Sequence, residues 1–239
     1  MYTVRTRKWG QPNRSMGRAE PTTDSRAQLS RERVLDTAVA LADRYGLEAL
    51  SMRKLGQELG ASAMSAYYYF ANRDQLVDAM VDIVFSEIEP PSPELDWKTA
   101  MRRRASSTRD ALNRHRWAIG HMEGRTDHGT ANLRLHDSVL GCLRAAGFSP
   151  AATISAYSVQ DAYIYGFVLQ ETDMSSRTPD DFTAEAQRQM VDYADALADF
   201  PNLVEVVGGH VAKVGYDYAA EFLFGLDLIL DGLDRLRRG

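Results

Sequence analysis

The chain has 239 residues, 44% hydrophobic and 26% charged, with a net charge of −5 at pH 7, the balance of an ordinary globular protein with ample core. Cys142 is the only cysteine, which excludes an internal disulfide framework and any multi-cysteine metal site. Apolar runs are broken by Gly, Asp or Glu, and the basic N-terminal stretch lacks the apolar core of a signal peptide; no membrane span is expected, and a cytoplasmic location follows.

Residues 1–28 are rich in Arg, Thr, Ser and Pro without apolar periodicity and read as a disordered basic arm. After that the helical period takes over. No alternating run marks a strand, so the expected fold is all-α. Ser30 stands as an N-cap beside the staple pair Leu29 and Val34. Val34, Leu35, Ala38, Leu41, Ala42 and Tyr45 then recur at helical spacing until Gly46. Ser51 caps a short second helix with Leu50 and Leu55 as its staple, and Gly60 ends it. Ser62 caps a third helix over 62–69. Asn72 caps a fourth, with Gln75 placed for a capping box and Leu76, Met80, Ile83 and Val84 inward.

EPPSPE, residues 89–94, cannot continue a helix and is the clearest boundary. Beyond it, 97–115 and 132–146 read as helices. GFSP, residues 147–150, stops one helix and caps the next, which runs to Glu171. A polar loop is expected over 175–182, helices over 184–199 and 202–214, and a strong last helix over 218–236.

The two short helices joined at Gly60 make a helix-turn-helix. SAMSAYYYF carries three successive tyrosines, which cannot all face one interior. In a DNA-binding reading the small residues at the helix N-terminus approach base edges. At least one tyrosine packs inward, and the others offer hydroxyls to phosphates. Charge agrees. Residues 1–80 carry 12 basic and 9 acidic side chains, whereas the rest carry 16 and 24, and a partner feels the local field rather than the sum.

RERVLDTAVALADRYGLEALSMRKLGQELGASAMSAYYYFANRDQLVDAM resembles the DNA-binding domain of the tetracycline-repressor family across about fifty residues. Departures are Ala66 for the usual Leu, Tyr69 for the usual His and Ala71 for a common Lys. The resemblance implies a three-helix DNA-binding domain over 29–72, a connecting helix and linker over 73–94, and a larger helical ligand-binding and dimerisation domain over 95–239. It also implies double-stranded operator DNA as partner, faced by Ser51, Arg53, Ala63, Met64, Ser65, Tyr67, Tyr68, Tyr69 and Arg73. Arg53 suits a bidentate guanine contact. Ser51, Tyr67, Tyr68 and Arg73 suit phosphates, and Tyr69 suits either.

GFSPAATISAYSVQDAYIYGFVLQE and AAEFLFGLDLILDGLDRL resemble the ligand-binding and dimerisation domain of the same family. Phe222, Leu226, Ile229, Leu233 and Leu236 repeat at 4-3-4-3 spacing, a seam that wants another helix. The helix carrying Ile154, Tyr157, Asp161, Ile164 and Val168 is spaced similarly. Two such helices per subunit form a four-helix bundle across a two-fold axis. A homodimer is therefore expected, with Ile164, Val168, Phe222, Leu226, Ile229 and Leu233 at its interface.

The family's magnesium-drug contacts are replaced: the matching positions hold Glu89, Arg104, Thr108 and Met122, with His121 beside the last. The expected ligand set is Arg104, Thr108, His121, Met122, His136, Val139, Ile154 and Tyr157. A buried Arg104 implies a ligand or an acidic partner. An aromatic or polycyclic effector follows, with an acidic group as an option and no obligatory magnesium. His115, His121, His128 and His136 lack the spacing of a metal site, and no nucleophile–base pair or phosphate-binding glycine loop argues for an enzyme. The expected function is a repressor released by a small molecule, without metal or cofactor. An activator and a non-sensing DNA-binding dimer stay open.

Overall fold

The computed structural model describes residues 29–122, 129–171 and 179–238, and every regular element among them is helical. The basic arm, His128 and residues 175–178 of the expected polar loop lie outside the described residues.

Helix α1 (Arg31–Tyr45) starts where Ser30 Oγ accepts the Arg33 N–H, and it buries Val34, Leu35, Ala38, Leu41 and Ala42. Tyr45, expected on that face, is half exposed. A 3₁₀ turn, Leu47–Ala49, leads to α2 (Met52–Glu58), capped by Ser51 through the Lys54 N–H, and then to α3 (Ala63–Tyr67). Asn72 caps α4 (Arg73–Ser86) by accepting the Gln75 N–H at 2.8 Å. The Gln75 amide oxygen accepts from Ala71 N, one residue before the capping-box position. Helix α4 buries Leu76, Val77, Met80, Val81, Val84 and Phe85. It packs on α1 and on α6 (Thr130–Ala145), so one apolar core runs through both domains.

Beyond the linker, α5 (Trp97–Arg114) is capped by Asp96 and followed by a 3₁₀ turn, Arg116–His121. Helix α7 (Pro150–Glu171) is the longest described element. Helices α5, α6, α7 and α12 (Tyr218–Arg238) pack around the larger core. Between α7 and α12, the segment α8 (Pro179–Asp192), α9 (Ala194–Leu197), α10 (Pro201–Leu203), a π-helical stretch Val204–Val211 and α11 (Ala212–Val214) packs mainly upon itself. Residues 179–182 are thus helical where a loop was expected. The described part of α8 begins at Pro179. The helix expected over 184–199 breaks at Tyr193.

The seam of α12 is filled within the subunit. Phe222, Leu226 and Leu233 are buried, as are Ile164 and Val168 of α7, and Tyr163 stacks on Phe222 with ring centroids 5.6 Å apart. Ile229 is half-buried. Phe222, Leu226, Leu233, Ile164 and Val168, expected at a dimer interface, are thus buried within the subunit, where α7 packs on α12, while Ile229 keeps an exposed edge. The outer faces are different residues. Phe224 is 63% exposed and Leu228 59%, and α7 presents Ala151, Ser155, Ser158 and Ala162 to solvent.

Candidate nucleic-acid interface and effector centre

Two glycines set the helix-turn-helix. A Cβ on Gly56 would lie 2.8 Å from Ala63 N, so only glycine lets α3 approach α2 this closely. Gly60 turns the chain at φ +63°, a conformation that favours glycine. Ala66 and Phe70 are buried behind α3 and fix its roll. That roll leaves Met64 73%, Tyr67 43% and Tyr68 84% exposed. Arg53 and Ser51 are exposed as well, while Ala63 and Ser65 are half-buried. The Ser65 and Ser62 hydroxyls hydrogen-bond each other at 3.1 Å.

Two of the expected DNA-facing residues turn inward. Tyr69 donates its hydroxyl to the Leu29 carbonyl and joins the core, so it is the tyrosine that packs inside. Arg73 donates from Nε to Leu50 O at 3.2 Å and from Nη2 to Leu47 O at 2.8 Å. The Leu47 carbonyl also closes the 3₁₀ turn by accepting the Leu50 N–H, and the guanidinium fastens that turn to α4. Both partners are distant in sequence and invisible to local pattern.

The two domains meet at a buried histidine. His115 Nδ1 lies 2.8 Å from Asp43 Oδ1 on α1, and Nε2 lies 3.2 Å from both oxygens of Glu87 at the end of α4. A carboxylate only accepts, so each contact needs a proton on the facing nitrogen. Trp117 Nε1 donates to Asp43 at 2.7 Å, and Arg114 Nη2 donates to Glu87 at 2.6 Å. Burial raises the Glu87 pKa, but the Arg114 hydrogen bond and the His115 charge outweigh it and leave it below the ordinary 4.5. A carboxyl with a lowered folded pKa stabilises above its unfolded value and loses that contribution as pH falls. Acidification below about pH 4.5 should therefore loosen this junction; thermal melts should show a steeper acid loss in the parent than in Glu87→Gln. A second junction joins α4 to α6, where Asn132 N donates to Asp82 Oδ1 at 2.9 Å. A Cβ on Gly129 would overlap the Asp82 carboxylate.

The centre of the larger domain is polar. Arg104 on α5 donates from Nη1 to Asp161 Oδ1 on α7 at 2.6 Å, with side chains 3% and 6% exposed. Burial disfavours the Arg104 charge, but Asp161 more than compensates and keeps the guanidinium protonated. Thr108 donates to the Arg104 carbonyl. The Asn132 carbonyl accepts from His136 Nδ1 at 2.9 Å, which leaves Nε2 to accept from the Tyr157 hydroxyl. Burial, and then the Asp161 charge, push the Tyr157 pKa up, so this hydroxyl keeps its proton. Met122 and Val139 are buried and belong to the hydrophobic core.

Two members of the expected ligand set do not join this centre. Ile154 is 66% exposed near the start of α7, and His121 lines a groove with Asp43, Arg116 and Trp117. Four buried polar atoms among the described residues have no hydrogen-bond partner: Arg104 Nε, Asp161 Oδ2, Gln160 Oε1 and Asn113 Oδ1. Each would cost about 1–3 kcal/mol if left dry. No group of three His, Cys, Asp or Glu among the described residues could hold a metal ion, and no described helix is long and apolar enough to cross a membrane.

A helix-turn-helix with an exposed reading helix, joined by a shared α4 to a larger helical domain, defines a transcription regulator. Residues 34–80 match the family model for bacterial regulatory proteins of the tetR family, and residues 89–237 match the tetracyclin repressor-like C-terminal domain. The chain belongs to the tetR family. It is 31% identical over 229 residues to the transcriptional repressor DrrR1 of Streptomyces coeruleorubidus, across 92% of this chain and 83% of that protein. It is 26% identical over 219 residues to the class C tetracycline repressor of Escherichia coli, across 88% of this chain and 93% of that one. Among solved structures, ActR of Streptomyces coelicolor in complex with actinorhodin superposes with a TM-score of 0.71 at 29% identity, covering 88% of this chain and 99% of that chain.

Proposed function

We propose that this chain is a cytoplasmic, homodimeric repressor that leaves a palindromic operator when an aromatic or polycyclic small molecule binds its larger domain. The observation that carries the reading is the outward face of α2 and α3, where Arg53, Met64, Tyr67 and Tyr68 are exposed on a helix-turn-helix locked from behind. Arg53 reads a guanine edge; Ala63, Met64 and Ser65 meet base edges; Ser51, Tyr67 and Tyr68 hold phosphates. The ligand-bound state of ActR supports effector control, with Arg104, Thr108, Met122, His136, Val139 and Tyr157 as the surrounding residues here.

The outer faces of α7 and α12 pair across a two-fold axis. That pairing sets the distance between the two reading helices, and operator half-sites then lie about one helical turn, ~34–36 Å, apart. Control needs the effector and operator to prefer different spacings. The His115 and Asp82 junctions give a route, since each ties α4 to the effector domain. A gel shift against the chain's own upstream DNA, repeated with a small-molecule library, tests the whole scheme. Retention of DNA under every compound would end the sensing role; absence of any shift would end the regulatory one. Within the scheme, Arg53→Ala should weaken operator binding by about 1–3 kcal/mol and relax specificity at one base pair, measured by fluorescence anisotropy over a set of mutated sites.

A further inference from the structure

We infer that Arg73 is a positioning residue for operator reading: it holds the joint in front of α2, and through that joint it aims Arg53 at its base pair. The inference rests on the DNA-binding role proposed above and deepens it. Arg73 is the first residue of α4, at the end of a helix where backbone dipoles disfavour a positive side chain. Its guanidinium is half-buried and turns away from that end, towards the chain that leads into α2.

The carbonyls it meets lie at a joint. Leu50 (φ −77°, ψ 119°) and Ser51 (φ −136°, ψ 152°) are both extended between the 3₁₀ turn and α2. Two extended residues carry no helical ladder of their own, so the angle at which α2 leaves the turn is set by bonds from elsewhere. Arg73 supplies two. Nη2 donates to Leu47 O, which also accepts the Leu50 N–H at 3.0 Å, so both lone pairs of that oxygen are used. Nε donates to Leu50 O, on the planar peptide group that carries the Ser51 N–H. A rigid fork thus spans the turn and the joint. The side chains of Leu47 and Leu50 are buried, and an outward swing of this backbone would unpack them.

Arg53 follows three residues after Leu50, exposed in the first turn of α2. The far end of α2 is fixed on α3, where Ala61 N donates to Gly56 O at 2.9 Å and Gly56 lies against Ala63. The near end is the one that α4 holds. A seven-residue helix contributes little rigidity of its own. A bidentate guanine contact needs both of its hydrogen bonds aligned at once, and each weakens steeply as its angle closes. A tilt at the joint therefore removes base discrimination before it removes contacts to the DNA backbone.

The test uses the full-length protein and the upstream fragment it retains, with fluorescence anisotropy across a salt series. Discrimination is the ratio of Kd between that fragment and one changed at the base pair where Arg53→Ala relaxes specificity. In Arg73→Met this ratio should fall about tenfold, the worth of one bidentate contact, with the slope of log affinity against log salt unchanged. Arg53→Ala combined with Arg73→Met should discriminate no less than Arg53→Ala alone, since both act on one contact. Arg73→Lys keeps the charge but loses the fork. Its ratio should fall several-fold, and it stands as the readout if Arg73→Met does not fold. A residue that neutralises a phosphate would instead lower the slope by about 0.9 for each subunit bound. That fall in slope overturns the inference. An unchanged ratio does so as well, because a side chain that only stabilises the fold weakens all sites alike. Failure of the parent to bind the fragment ends the regulatory role and the inference together; a parent that binds while the variants keep its ratio ends the inference alone.

Discussion

Asp161→Ala should be the most damaging single change in the effector domain. The substitution leaves the Arg104 guanidinium, in a residue only 2% exposed, without the carboxylate it pairs with among the described residues. Removal of one partner from a buried pair costs about 3–5 kcal/mol, because the surviving charge is left desolvated. For a chain of this length that amounts to a fall in melting temperature of roughly 6–20 °C, at about 2–4 °C per kcal/mol. The loss belongs to the orphaned charge and not to the missing methylene and oxygens. Arg104→Met combined with Asp161→Leu should therefore recover most of it, since a well-packed apolar replacement of a buried pair is often neutral or stabilising. Differential scanning calorimetry of the two single variants and the double variant completes the cycle. Equal losses in the single and double variants would show that the pair contributes by packing alone.

How far the sequence carries is clearest at the helix ends. Ser30, Ser51 and Asn72 are legible as caps because an N-cap is a local arrangement, and each accepts the backbone N–H three residues on. Ser62 is the exception: it opens α3 without a capping bond and pairs with Ser65. The three tyrosines of SAMSAYYYF already demand a split between inside and outside. Only the fold assigns Tyr69 to the interior, through a carbonyl forty residues away.

The polar centre of the larger domain is less legible for the same reason. Arg104 is flagged by its position in the family pattern, and of the two readings of a buried arginine, a ligand or an acidic partner, the fold supplies an acidic partner in Asp161. In the sequence Asp161 is only a seam residue, because a carboxylate on a helix face looks the same whether water or a guanidinium faces it. Likewise His115 reads as one histidine among several. Its role as a junction depends on Asp43 and Glu87, which lie 72 and 28 residues away.

The proposed two-fold assembly should come apart when the outer face of α12 is charged. Heptad spacing identifies a seam but not the chain that fills it, and here α7 of the same subunit fills it. Charges at Leu226 would unfold the subunit, since that side chain is fully buried. Charges at Phe224 and Leu228 sit on the outer face, where both side chains are more than half exposed. Phe224→Asp with Leu228→Asp should leave the helical circular dichroism spectrum unchanged and convert a dimer into a monomer at micromolar concentration in sedimentation equilibrium. Operator affinity should fall with it. Two linked reading heads gain about 10²–10⁴ in avidity over one, and a monomer forfeits that factor. Leu226→Asp in parallel separates the two effects, because it should lose helical signal before it changes association. A double variant that stays dimeric with full operator affinity would place the two-fold interface elsewhere on the subunit, and the exposed face of α7 would then have to pair without α12.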